Sequence, residues 1–413
     1  MLRAALRIGV LSTRVTGLPD RVRESGGEPV PLVLPKTRPE GGVALAREWI
    51  ADSTQISCSY ERLDALLIAA EEPEEIPGFV LSALRLNLPT VAVPPRDARL
   101  FAALAALGLT PLASDPAEVI IEAARGGGPR PLELVEDFAL ANALRASLSL
   151  GEGPEGIVHL SAIAREAGDV GFDQMLRVLV PETPLLTQPG CGWFEEHGIA
   201  GLLAHLGETL HDIRTVEGKL HEMLPPAPPA PPPSDESRLV FVEGRASGTE
   251  ALCRVSGSVT EISGECRVLH SEKFAVRMLE GGFFEPDSLL VVGGCGPRGG
   301  PGLLRLDRLA QTLHESGLEE SISVITDGLP PSEARGTWVS LVSPEAAAGG
   351  VIGRLRDWDT LRIDLAEGRI RTGVKAGELE SRDPYEVPDP TGTGYAARYA
   401  RSALPALEGA GFG

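Results

Sequence analysis

Along the first 223 residues, short apolar runs alternate with segments of helical spacing. RIGVLS, DALLIAA, TVAVP and LTPLAS read as buried strands, and VALAREWIADSTQIS, FVLSALRLN and RLFAALAALG repeat apolar residues at helical intervals. That alternation predicts a mostly parallel sheet flanked by helices. From about residue 135 to 223 the spacing is helical throughout, in LELVEDFALANALRASLSL, IVHLSAIAREAG and GIAGLLAHLGETLHDIRTVEGKLHEML. After residue 238 the pattern shortens: RLVFVEG, EALCRVSG, CRVLHS, SLLVVGG, SISVITDG, WVSLVS and DTLRIDLAEGRIRTGV are strand-like pieces between Gly, Asp and Pro turns, with helices such as RLDRLAQTLHES among them. The expected fold is an α/β N-terminal domain, mostly parallel sheet with flanking helices, followed by a β-barrel-like C-terminal domain with its own flanking helices. No internal repeat of fixed period is present.

The boundary is LPPAPPAPPPSDES, residues 224–237, where seven prolines lie between Pro225 and Pro233. Such a segment favours extended polyproline II, about 3.1 Å per residue, and acts as a semi-rigid spacer. The expected division is therefore 1–223, a linker at 224–237, and 238–413. Composition narrows the function classes. A formal charge of −20, from 38 Lys plus Arg against 58 Asp plus Glu, opposes nucleic-acid binding. No apolar run reaches membrane-spanning length, and the N-terminus enters a strand-like segment directly, so a soluble cytoplasmic protein is expected. The five cysteines, Cys58, Cys191, Cys253, Cys266 and Cys295, are an odd number without a C-x-x-C pair, which suggests neither a disulfide framework nor a zinc site.

Seven segments in register carry a resemblance: ALAREWIADS (44–53), LDALLIAAEEPEEIPGFVLSALRLNLPT (63–90), IVHLSAIAREAG (157–168), TPLL (183–186), GPRGGPG (296–302), ITDG (325–328) and VSPEAAAGG (342–350). Together they resemble the dihydroxy-acid dehydratase and 6-phosphogluconate dehydratase family, whose members eliminate water with an iron–sulfur cluster. The resemblance implies an α/β domain and a β-barrel domain with the site at their interface, usually closed by a second subunit. It also implies cysteine ligands for a 2Fe–2S cluster, and a neighbouring Mg²⁺ held by carboxylates and a carbamylated lysine.

Those side chains are missing. In the family the turn after LDALLI carries Asn-Cys-Asp-Lys; here the four places hold Glu71, Glu72, Pro73 and Glu74. One metal glutamate of the family falls near Arg38, and another falls on Arg305, a charge reversal. The segments with the other cluster cysteines are deleted, and the Ser-Thr-Asn turn before IVHL has become EGPEG. The serine implied as general base follows ITDG by three residues in the family, a place occupied here by Pro331 with Ser332 one residue late. No cofactor is expected, neither the cluster nor Mg²⁺.

Some residues retain chemistry worth weighing. The loop GGCGPRGGPG can present backbone N–H groups as an anion nest, with Arg298, Gly299 and Gly300 around a carboxylate, or it can be a turn whose glycines allow positive φ. Asp327 and Ser332 form a candidate base and hydrogen-bond donor; the competing reading is a polar turn broken by Pro330 and Pro331. Glu345 reads as a helix-start carboxylate favoured by the dipole, or as a ligand contact. His159 weighs toward a satisfied core or interface histidine over a base, and Cys295 toward a packed small residue over a reactive thiol beside Arg298. The functional expectation is a non-catalytic homologue: a partner or regulator of a full-length dehydratase, or a small-carboxylic-acid binder, in a homodimer or hetero-oligomer. The alternative is a cofactor-independent lyase or isomerase acting on a small hydroxy or amino acid in specialised metabolism.

Overall fold

The computed structural model describes residues 5–12, 17–33, 41–70, 75–93, 100–169, 171–186, 192–231, 238–244, 248–255, 257–284, 286–299, 302–386 and 393–413. The glutamate turn at 71–74, Arg38, Cys191 and Gly300 lie outside the described residues.

The N-terminal half opens with β1 (Leu6–Ser12), α1 (Leu18–Glu24), β2 (Gly27–Val33), α2 (Val43–Ser59), β3 (Ala65–Ile68), α3 (Ile76–Leu86) and β4 (Thr90–Ala92). Its sheet has the order β2-β1-β3-β4 with every pair parallel. The apolar runs of β3 and β4 are buried along their whole length, as strands covered by helices on both faces must be. The strand β2 was not expected from its sequence, because Pro29 and Pro31 interrupt it. Its place at the sheet edge explains the tolerance: an edge strand pairs on one side only. The expected strand LTPLAS does not form. Pro111 has no N–H to give, and the N–H groups of Ala113 and Ser114 both donate to the Glu217 carboxylate at 3.0 Å.

Helices α4 (Leu100–Ala106), α5 (Pro116–Gly126), α6 (Pro131–Leu134), α7 (Asp137–Ser149), α8 (Gly153–Ala167), α9 (Phe172–Glu182) and α10 (Trp193–Leu206) complete this half. The helical pattern expected through residue 223 ends at Gly207, whose φ of 41° leaves the helical region. A small hairpin, β5 (Arg214–Thr215) with β6 (Gly218–Lys219), and the short α11 (Leu220–Met223) follow instead. The proline-rich chain then runs along α10, where Trp193 Nε1 donates to the Pro229 carbonyl at 2.9 Å.

The C-terminal half is a closed eight-stranded barrel in the order β10-β11-β12-β8-β7-β14-β13-β9. Its strands are β7 (Arg238–Gly244), β8 (Thr249–Val255), β9 (Glu261–Leu269), β10 (Leu289–Val292), β11 (Ser323–Thr326), β12 (Trp338–Ser343), β13 (Thr360–Asp364) and β14 (Arg369–Thr372). β9 through β12 run parallel, and the remainder pair antiparallel except for a single parallel β14–β7 bridge. Val242, Cys253, Cys266, Val291, Ile325 and Val339 fill the barrel, and α12 (Glu272–Glu280) and α13 (Asp307–Glu315) cover its outer face at Leu290 and Val324. Helices α14 (Ala376–Ser381) and α15 (Tyr395–Ser402) close the chain. Among the described residues no helix is long and apolar enough to cross a membrane.

The two halves share a core. Leu252, on the outward face of β8, joins the N-terminal cluster, and Ala44, Leu45 and Val158 pack with Leu303, Leu329, Tyr399 and Ala410 in a seam between them. At that seam the loop before α13 meets the start of α2: the N–H of Val43 donates to the Leu303 carbonyl at 3.0 Å, and that of Ala44 to Gly302 at 3.2 Å. Gly302 sits at φ 87°, and a Cβ there would lie 2.5 Å from that of Leu45, so glycine alone permits this approach.

Candidate functional site

The loops that follow the parallel barrel strands gather around Asp327. Its carboxylate is fully buried and accepts three backbone N–H groups, from Gly294 at 3.1 Å, Cys295 at 2.8 Å and Ala346 at 3.0 Å. Burial raises its pKa and the three donors counter that rise. Two N–H groups of GGCGPRGGPG, those of Gly294 and Cys295, are thus turned toward the chain's own Asp327. Within the loop the N–H of Gly299 donates to Ala400, and the carbonyls of Gly296 and Cys295 accept from Leu303 and Leu304 just beyond it. Arg298 directs its Nε to the Ala403 carbonyl at 2.7 Å and so ties the loop to the chain's last segment.

Glu345 stands beside this knot, at the N-cap position of a single 3-10 turn. The single-turn helix Ala346–Ala348 has its first N–H donated to Asp327, and the Glu345 side chain makes no capping bond. The residue is 1% exposed, and neither carboxylate oxygen has a hydrogen-bond partner among the described residues. Burial, with the Asp327 charge adding to it, pushes the carboxyl up to about 7, against the lowering influence of its own N–H and of Arg298. Asp327, Glu345 and Arg298 are thus neighbours, and Gly299 belongs to the same loop.

His159 and Ser332 belong to different surroundings. His159 is buried on α8, with Nδ1 3.3 Å from Arg47 Nη1 and Nε2 3.7 Å from Glu155. Burial lowers its pKa, with Glu155 opposing that and the Arg47 charge acting in the same direction as burial. Arg47 is fully buried, bonded to Glu48 at 2.9 Å and to the carbonyl of Gly409. Glu155 in turn meets Arg305 at 3.3 Å, and Arg305 Nε also reaches Asp307 at 3.0 Å. Burial favours the neutral form of Glu155, but His159 and Arg305 outweigh it and hold its carboxyl below the ordinary range. Ser332 is half-buried and offers its carbonyl to Arg254 Nη1 at 2.7 Å. Among the described residues no hydrogen bond joins the two candidates: the Asp327 oxygens accept from backbone donors, and Ser332 meets Arg254 through its carbonyl. Arg47, Glu155 and Arg254 were not singled out by sequence. The one cue was a lone arginine between two buried residues of β8, which alternation places on the outer face.

The described cysteines are dispersed. Cys58 lies in the N-terminal core, Cys253 and Cys266 inside the barrel, and Cys295 beneath α12 and α13. Burial pushes the thiols of Cys58, Cys253 and Cys266 up to about 12 and raises that of Cys295 as well. Among the described residues no group of three or more His, Cys, Asp or Glu side chains is placed to hold a metal ion.

An α/β sheet domain joined to a closed mixed barrel, with glycine-rich loops knotted at their seam, defines a class of architecture that sequence comparison makes specific. Residues 227–410 match the family model described as dihydroxy-acid/6-phosphogluconate dehydratase C-terminal. The dihydroxy-acid dehydratase of Geobacter metallireducens is 31% identical over 315 residues, 71% of this chain and 57% of that one. That of Trichlorobacter lovleyi is 30% identical over 303 residues, 68% of this chain and 55% of its own. A more extended match, to the dihydroxy-acid dehydratase of Ignicoccus hospitalis, is 29% identical over 459 residues, 88% of this chain and 82% of the relative. The chain belongs to the dihydroxy-acid/6-phosphogluconate dehydratase family, and it spans little more than half the length of the first two relatives.

Proposed function

We propose that this chain is a non-catalytic member of its family that binds a small acid without an iron–sulfur cluster or Mg²⁺. The observation that carries the reading is the Arg305–Glu155 ion pair at 3.3 Å. Arg305 stands where the resemblance implies a metal-binding glutamate, and Glu155, near the start of α8, belongs to the EGPEG stretch found in place of Ser-Thr-Asn. A guanidinium repels a divalent cation, and its pairing with Glu155 occupies a second acid within the seam. The described thiols do not fit a cluster either, being buried and divided among three separate cores, of which only the barrel interior holds two, Cys253 and Cys266. The retained motifs GPRGGPG, ITDG and VSPEAAAGG have structural employment in the Asp327 knot, so their presence does not require turnover.

The test is anaerobic purification followed by iron, sulfide and magnesium analysis and a dihydroxy-acid dehydration assay. A colourless protein without stoichiometric iron and without turnover, before and after reconstitution with ferrous iron and sulfide, is expected. Stoichiometric cluster iron with turnover overturns the reading. The Glu345 carboxyl, raised to about 7 and unpartnered among the described residues, favours the second reading, cofactor-independent acid–base chemistry on a small hydroxy or amino acid. Turnover by the iron-free protein would select it. The proposal takes the protein as cytoplasmic and as a homodimer or a hetero-oligomer with a full-length dehydratase; a monomer at micromolar concentration in sedimentation, alone and with such a partner, rejects the assembly.

A further inference from the structure

A cavity of about 720 Å³ opens between the outer wall of the barrel and the N-terminal domain, away from the Asp327 knot. Leu148 and Val180, from the ends of α7 and α9, line one side, and Leu239 and Phe241 of β7 line the other. Three arginines reach it, and they differ in what they hold. Arg177 is paired with Glu243 at 2.6 Å and Glu250 at 2.8 Å. Arg238 donates to the carbonyls of Gly257 and Val259 at 3.3 and 2.7 Å. Arg254 is half-buried, makes one hydrogen bond to the Ser332 carbonyl, and has no carboxylate within ion-pair distance among the described residues. Burial lowers its pKa and the more distant Glu333 offsets only part of that.

The guanidinium of Arg254 lines this cavity with donors beyond the one given to Ser332, and a carboxylate entering it can accept them in charge-assisted bonds. The walls supply burial for a hydrocarbon body. Glu182, Glu243 and Glu367 also line the space, so a multiply charged anion such as a phosphate is repelled while a monoanion is accommodated. We propose that this cavity is a binding site for a monocarboxylic acid with an apolar body, its carboxylate on Arg254 and its chain along Leu148, Val180, Leu239 and Phe241. The proposal deepens the small-acid reading and rests on it only in treating the acid as a ligand that leaves unchanged.

Isothermal titration of the full chain with octanoate, and with octanamide as the uncharged control, tests it. Saturable one-to-one binding of octanoate, at least tenfold weaker binding of octanamide, a tenfold or greater loss with Arg254→Met and partial recovery with Arg254→Lys are expected. Absence of saturable octanoate binding, equal binding of the amide, or an Arg254→Met protein that binds octanoate as well as the parent overturns the site. Should Arg254→Met fail to fold, Val180→Trp, which fills the cavity from the opposite wall, is expected to abolish octanoate binding, and undiminished binding overturns the site equally. Iron content of the same preparation decides the preceding reading separately, because octanoate binding stands or falls whatever that content is.

Discussion

The Asp327 carboxylate holds the N–H of Ala346 at 3.0 Å while also holding Gly294 and Cys295, so one side chain joins three loops that are separate in sequence. This makes Asp327 a structural linchpin, and the cost of removing it can be stated. Asp327→Ala leaves three buried N–H donors without an acceptor, and a loss of roughly 3 kcal/mol or more is expected. Asp327→Asn keeps one acceptor oxygen and should cost less. Urea denaturation at neutral pH measures both, and a midpoint for Asp327→Ala within error of the parent would remove Asp327 from this role.

Arg305→Glu restores the acid implied by the family resemblance but places it against Glu155 and Asp307. Three carboxylates then converge where one cation had joined two of them, so the seam should lose about 1–3 kcal/mol, recovered as pH falls and the acids protonate. Under the proposed reading this variant gains no dihydroxy-acid turnover with Mg²⁺ and iron. Unfolding curves at pH 5 and pH 8, together with that assay, check both halves; a variant more stable at pH 8 than the parent contradicts the ion-pair account.

The parts legible in the sequence were those where burial wrote a continuous signal. Leu66–Leu67–Ile68, Val91 and Leu290–Val291–Val292 are apolar on every residue because both faces of their strands are covered, and they were expected as strands. β2 was hidden because its prolines argue against pairing, and only its position at the sheet edge reconciles them. The end of α10 was hidden because apolar residues continue at helical intervals beyond Gly207. The site was partly legible: Asp327, Arg298 and Glu345 were recognised as chemistry-bearing, but the acceptors and donors that satisfy the first two come from loops brought together only by the closed barrel. Arg254 gave almost no cue, since its meaning depends on the N-terminal helices that wall its cavity.

Thiol accessibility gives a third expectation. Cys58, Cys253, Cys266 and Cys295 are at most 3% exposed, and their raised pKa values leave almost no thiolate at pH 8. Iodoacetamide at that pH should leave all four unmodified in the native protein and modify them after denaturation in guanidinium. Peptide mapping by mass spectrometry distinguishes the sites, and rapid native labelling at any of the four would show that its core opens.

Glu345 supplies a prediction whose sign is unusual for a carboxylate. Its carboxyl titrates near 7 in the folded chain and in the ordinary carboxylate range when unfolded, so the folded state holds the proton more tightly. Stability is therefore greatest below the unfolded pKa and declines as pH rises through about 7, where the charged group must form without a hydrogen-bond partner among the described residues. Glu345→Gln keeps the shape and removes the ionisation. At pH 8 the variant should exceed the parent by about 2–3 kcal/mol, and at pH 4.5 the two should be nearly equal. Urea midpoints across that range measure the difference; a glutamine variant less stable than the parent at pH 8 would mean that the carboxylate has an anion-stabilising partner, and the buried, unpaired state described for it would be wrong.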